Sequence, residues 1–327
     1  MKKVLPLLLA GLMLAMLGCG KTPVKNAVED AVVDVVSAGD SANTNTADVT
    51  HSSLYSADGT TEESNGESYA SDTANVNTIL VERMGILTMT SADINKTGDS
   101  SGDYTGGQNA AVAVISKGQL TLNQSNITTN GVGAVGMIVS AEGTQLAVNG
   151  TSVYTSGESS PVLIVRDDAS AVITSGTLST EGADSPSILL LGGRLTLSGV
   201  TITSKSGDTL RVLAGDNFLT LDQTTISAMP ALAEEATLEL HLQNGASFSG
   251  DLGGMLPARA SVFLDASSKL ILTAETYLTT LVNADVKHQN IESNGFNLYY
   301  DSNAPDNAYL NGQSFMLPGG GFLAPII

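Results

Sequence analysis

Hydrophobic positions along this chain come in pairs two residues apart, with a third five residues later, and the unit returns after about two dozen residues. With Ile127 as a mark, the matching positions are Val153, Leu178, Ile202 and Ile226, at steps of 26, 25, 24 and 24. Five residues before each mark stand Leu122, Val148, Ile173, Leu197 and Leu221. Seven before stand Leu120, Leu146, Ala171, Leu195 and Leu219. A more distant copy fits with Leu87, Met89 and Ile94. Residues two apart in a strand share a face, whereas an odd step of five turns a corner before the next inward side chain. Turn-forming triplets such as Gln124-Ser125-Asn126 and Ser175-Gly176-Thr177 occupy those corners.

A second, almost wholly apolar strand precedes each pair, at 111–115, 136–139, 162–165, 188–191 and 210–213, as parallel strands require. One such unit cannot enclose a core. Stacked at about 4.8 Å, successive units bury a continuous aliphatic column and pair each backbone group with the coil above or below. The pattern therefore predicts an all-β chain: a right-handed parallel β-helix of about eight coils with a C-terminal cap. The outward positions Thr88, Thr121, Ala147, Val172, Thr196 and Thr220 are polar or small. The corner positions Thr90, Asn123, Asn149, Thr174, Ser198 and Asp222 are polar and suited to hydrogen bonding along the stack.

Outside the repeat the pattern changes. Lys2 and Lys3 precede an apolar run, Val4 to Leu17, too short to span a bilayer. It ends in Met16-Leu17-Gly18-Cys19, which resembles the lipobox of bacterial lipoproteins, with Met where Leu is usual. Residues 1–18 are expected to be a signal peptide, and Cys19, the one cysteine of 327 residues, the lipid-attachment site. No disulfide is available, so packing must hold the fold. Residues 19–53 form an acidic Ser/Thr/Asn-rich stretch with little to bury, expected to tether the body to the membrane. The β-helix with its N-terminal cap is expected over 54–273. Residues 274–327 break the period, and Phe296, Tyr299, Tyr300, Phe315 and Phe322 are expected as the core of the C-terminal cap.

Removing residues 1–18 takes away two lysines and no acid, which moves the formal net charge from −19 to −21. Such a surface excludes nucleic acid and anionic lipid as partners, leaving the N-terminal lipid as the membrane contact. Low charge content, at 14%, and the absence of Trp suit strands and turns over helices.

Residues 54–327 resemble a group of bacterial surface proteins described as adhesin-like or carbohydrate-binding, built on the pectin-lyase-like right-handed β-helix. The stretches that carry the likeness are 55–61 (Tyr-Ser-Ala-Asp-Gly-Thr-Thr), 66–69, 96–102, 107–112, 293–300 (Ser-Asn-Gly-Phe-Asn-Leu-Tyr-Tyr) and 317–321. The resemblance implies a cell-surface ligand-binding role and transfers no catalytic residue.

Candidate chemistry is sparse. A polysaccharide hydrolase or lyase needs converging carboxylates with a histidine or basic residue nearby. Only Arg166-Asp167-Asp168 suggests this, and it reads better as a solvated turn. His51 lies in the tether, His241 among alternating leucines and His288 in the cap. Glu158, Asp184 and Asp208 fall five or six residues after successive marks and would repel unless hydrated or bridged by a cation. A hydrated turn column is expected there, with structural calcium as the alternative and no other cofactor. The Asp99–Asp103 loop resembles a calcium loop in composition and is expected as an exposed insertion topped by Tyr104. Tyr154 stands outward where other coils carry Thr or Ser, and is the candidate for stacking on a sugar ring. The expectation is a non-enzymatic surface adhesin or scaffold for glycans or for proteins of a host or neighbouring cell. A polysaccharide-degrading enzyme and a structural spacer are the alternatives.

Overall fold

The computed structural model describes residues 51–326 apart from 101, 229–231 and 255. The signal peptide, Cys19 and most of the tether lie outside the described residues. The chain is an all-β parallel β-helix of about 11 turns with 3% helix. The first strand among the described residues, Ser53–Asp58, already pairs in parallel with Asn77–Glu82.

The repeat marks stack as the pattern requires. Tyr69, Ile94, Ile127, Val153, Leu178 and Ile202 are direct ladder partners in succession. The second inward column runs Met89, Leu122, Val148, Ile173, Leu197, Leu221, Leu242 and Leu264. Nearly all of these are buried, and Leu122, Ile127, Ile173 and Leu197 have no exposed surface. At the corners, Asn149 Nδ2 donates to Asn123 Oδ1 at 2.9 Å, one step of the expected polar ladder. Gly131, Gly157 and Gly182 stack so closely at another corner that a Cβ on Gly182 would collide with the Gly157 carbonyl. Ser185 Oγ donates to that same carbonyl at 3.1 Å. The corner therefore needs both the missing side chain and the hydroxyl.

The expected eight coils become about 11, and the physical reasons lie at the two ends. The inward side chains of the first described coil include Tyr55, Ala57, Glu62, Ser64, Tyr69 and Ser71, so it shows no aliphatic repeat. The marks after Ile226 are Phe248, Leu270 and Ile291, which are ladder partners at shorter steps of 22, 22 and 21. Their strands form a separate four-stranded sheet. Past residue 274, Thr276–Asn283, Leu298–Tyr300 and Phe322–Pro325 still pair in parallel. The antiparallel strand Phe315–Met316 and the 3-10 turn Pro305–Leu310 then close the end. Tyr300 is fully buried, whereas Tyr299 faces out and Phe322 is exposed.

One interior column is polar. Ser71, Lys96, Thr129, Thr155, Thr180 and Ser204 succeed one another in the ladder. Lys96 is fully buried, its Nζ donating to the Thr73 carbonyl at 2.7 Å, and burial pulls its pKa below the ordinary lysine value. The Thr129, Thr155 and Thr180 hydroxyls are buried with no hydrogen-bond partner.

Candidate functional site

The acidic column does not form as a threefold ladder. Ser160 N donates to Ser185 Oγ, and Ser159 N to the Ala183 carbonyl, so Glu158 stacks over Ala183 and Asp184 over Ser159. Asp184 and Asp208 do come together, because Arg211 reaches both: Nη1 to Asp184 Oδ1 at 2.8 Å and Nη2 to Asp208 Oδ2 at 2.5 Å. The chain's own guanidinium thus takes the bridging place that the sequence left open to calcium. Among the described residues no three His, Cys, Asp or Glu side chains gather at a point that suits a metal ion. Burial raises the Asp208 pKa, against the opposing pull of Arg211, and its Oδ1 is buried without a partner.

Arg211 ends an apolar strip on the outside of the same sheet. The strip runs through the ladder as Leu80, Ala113, Ile138, Ile164 and Leu189, all buried although they point away from the core. The insertion between Ile94 and Ile127 explains this, because it folds down over the strip. Tyr104 packs on these residues, and burial raises its pKa. Arg166 Nη1 donates to the Thr105 carbonyl at 2.7 Å, and the His51 ring contacts the Gly107 carbonyl at 3.1 Å. The loop's acids serve as caps: Asp103 Oδ1 accepts from Thr105 N, and Asp99 Oδ1 from Val132 N, each at 2.8 Å. The expected exposed insertion is therefore a cover. Sequence periodicity missed it because outward and inward positions of that strand are equally apolar.

Asp167 and Asp168 are exposed and both adopt left-handed backbone, φ 53° and 60°, at a bulge in the ladder. Asp167 Oδ2 accepts from Arg166 Nε and Ser140 Oγ, each at 2.7 Å. Tyr154 is half-buried in the outward column Asn95, Thr128, Tyr154, Ser179 and Thr203. Burial, followed by the Glu181 carboxylate, raises its pKa. Tyr154 has no ring neighbour among the described residues, so it offers one isolated face.

Aromatic side chains converge elsewhere. Arg194 lies 3.8 Å over the Phe218 ring, and His241 stacks on Phe263 at 4.4 Å with 6° between planes. His241 Nε2 also meets Glu239 Oε1 at 2.7 Å. Near the C-terminal end, Tyr277 and Tyr299 are ladder partners and stack at 4.7 Å, 18° apart. The next residue in that outward column is Ala324. Beside it lies a groove of about 320 Å³ lined by Leu256, Tyr277, Tyr299, Ser314, Ala324, Pro325 and Ile326. That volume lies at the lower end of the range for small-molecule sites, roughly 300–1,000 Å³. Alternation placed Tyr299 and Tyr300 on opposite faces. The sequence reading grouped both as cap core because the parallel partner Tyr277 stands 22 residues away with no repeat to announce it.

No family model, curated protein or solved structure matches the chain.

Proposed function

We propose that the protein is a lipid-anchored cell-surface scaffold that binds a glycan or a protein of another cell or matrix, and that it performs no catalysis. The observation that carries this reading is the tyrosine groove, an open aromatic step whose lining holds no charged side chain. The sequence supports the anchor at Cys19 and a tether that holds the body away from the membrane. The likeness to adhesin-like, pectin-lyase-like surface proteins points the same way. Asp167 is bound by Arg166 and Ser140, in keeping with a turn and not with an acid free to attack a glycosidic bond.

Cells displaying the full chain should adhere to a glycan- or protein-coated surface, and a Cys19→Ala variant that cannot be lipidated should abolish adhesion. Equal adhesion by cells lacking the protein overturns the reading. Incubation with pectins and host glycans should yield no new reducing ends. Turnover that disappears in an Asp167→Asn, Asp168→Asn variant would establish the degradative alternative instead.

A further inference from the structure

The groove beside Tyr299 is a vacancy in an otherwise regular stack. A parallel ladder repeats at about 4.8 Å, which is also a comfortable separation for stacked rings. The Tyr277–Tyr299 pair uses that match, with ring centres 4.7 Å apart. One rung further the ladder supplies Ala324, whose methyl group leaves the far side of the Tyr299 ring without an aromatic neighbour. Leu256 and Pro325 make the remaining walls apolar, and Ser314 stands at the exposed rim. The Tyr299 hydroxyl oxygen accepts from Asn297 Nδ2 at 3.2 Å, which leaves its own O–H to donate to a ligand.

We propose that this groove binds a neutral pyranose ring, which takes the place of a third aromatic in the column. The proposal rests on the ligand-binding reading above and names the ligand class. A pyranose combines an apolar C–H face, which stacks on a tyrosine, with a rim of hydroxyls that Ser314 and Tyr299 can meet. The volume matches a small ligand. About 320 Å³ holds a sugar unit or two, whereas a stable protein interface needs about 800 Å² from each side. Charge selects among sugars. The lining contains no Lys, Arg or His, and the chain carries a net −19, so acidic saccharides gain no counter-charge and meet a repulsive field.

The test is calorimetric titration of the full chain with neutral cello-, xylo- and galacto-oligosaccharides, with oligogalacturonate as the acidic comparison. At least one neutral series should bind, and oligogalacturonate should bind at least about tenfold more weakly. Tyr299→Ala should weaken binding about tenfold or more, while Tyr299→Phe, which keeps the ring, should stay within about threefold. Ala324→Tyr builds the missing ring into the gap. It should abolish binding at an unchanged melting temperature, so the test does not depend on Tyr299→Ala folding well. Binding that survives Ala324→Tyr at full affinity overturns the proposal, as does stronger binding of the acidic series. If cells displaying the chain adhere but no neutral oligosaccharide binds, the groove assignment fails and the surface-scaffold reading stands. If neither occurs, both fail.

Discussion

The coils before residue 225 and those after it share one kind of ladder but are dressed differently. In the first region the marks step by 33 residues from Ile94 to Ile127 and then by 26, 25 and 24 to Ile202, and the outward column reads Thr121, Ala147, Val172, Thr196, Thr220. In the second the steps shorten to 22, 22 and 21, and the same column continues as His241 and Phe263. His241–Phe263 and Tyr277–Tyr299 belong to the second region, and Arg194–Phe218 lies in the last coils before it. In the earlier coils the ring contact is Tyr55–Tyr69, at the opening end. The difference teaches that the inward column sets the fold, and that outward positions are free to vary once the ladder exists. A rung spacing that suits backbone hydrogen bonds also suits ring stacking, so aromatic columns form wherever neighbouring outward positions happen to be aromatic.

The largest expected effect tests whether the two regions have equivalent cores. Leu197 packs between Ile173 and Leu221, and Leu240 between Leu219 and Val262, and all are buried. Leu197→Ala and Leu240→Ala should each cost about 2–5 kcal/mol by chemical denaturation, because neither site can collapse against a rigid ladder. Calorimetry of the unsubstituted chain should give one transition, since each coil is stabilised by its neighbours. Two separated transitions, one moved by each substitution, would mean that the shorter coils are a unit of their own.

A smaller effect is expected where the regions meet, at Arg211. The side chains of Arg211, Asp208 and Asp184 are 30%, 14% and 50% exposed, so solvent screens part of their attraction. Arg211→Met should cost roughly 1–3 kcal/mol by leaving two carboxylates unpaired. It should also create a dependence that the parent lacks: millimolar calcium should raise the melting temperature of Arg211→Met and leave the parent unchanged, as should EDTA. A parent protein that loses stability in EDTA would return calcium to this corner.

Much of the first region was legible because its core is aliphatic and its coils from Ile127 onward are nearly equal in length. The marks from Ile94 to Ile202 are ladder partners as the spacing required. What escaped did so for definable reasons. The strip from Leu80 to Leu189 reads as ordinary buried strand, and no local signal separates a core facing inward from one covered by Tyr104. Ladder register, not spacing from the mark, decides that Asp184 meets Arg211 and not Glu158. The groove depends on Tyr277, Tyr299 and Ala324 sharing one outward column, which shortened coils without a clean period do not reveal. Tyr154 was visible for the opposite reason: it interrupts a column of small polar residues.

The smallest expected effect has an informative sign. Thr155 is fully buried between Thr129 and Thr180, and none of the three hydroxyls has a hydrogen-bond partner. A buried hydroxyl without a partner carries a desolvation cost of about 1–3 kcal/mol, part of which an isosteric methyl group removes. The β-branched shape is retained in Thr155→Val. The variant should therefore be more stable than the parent, by about 1 kcal/mol in denaturant melts. A loss of similar size would instead report an ordered water bonded along the threonine column, since only a bonded hydroxyl has anything to lose. The same substitution thereby distinguishes a dry polar column from a hydrated one inside the regular coils.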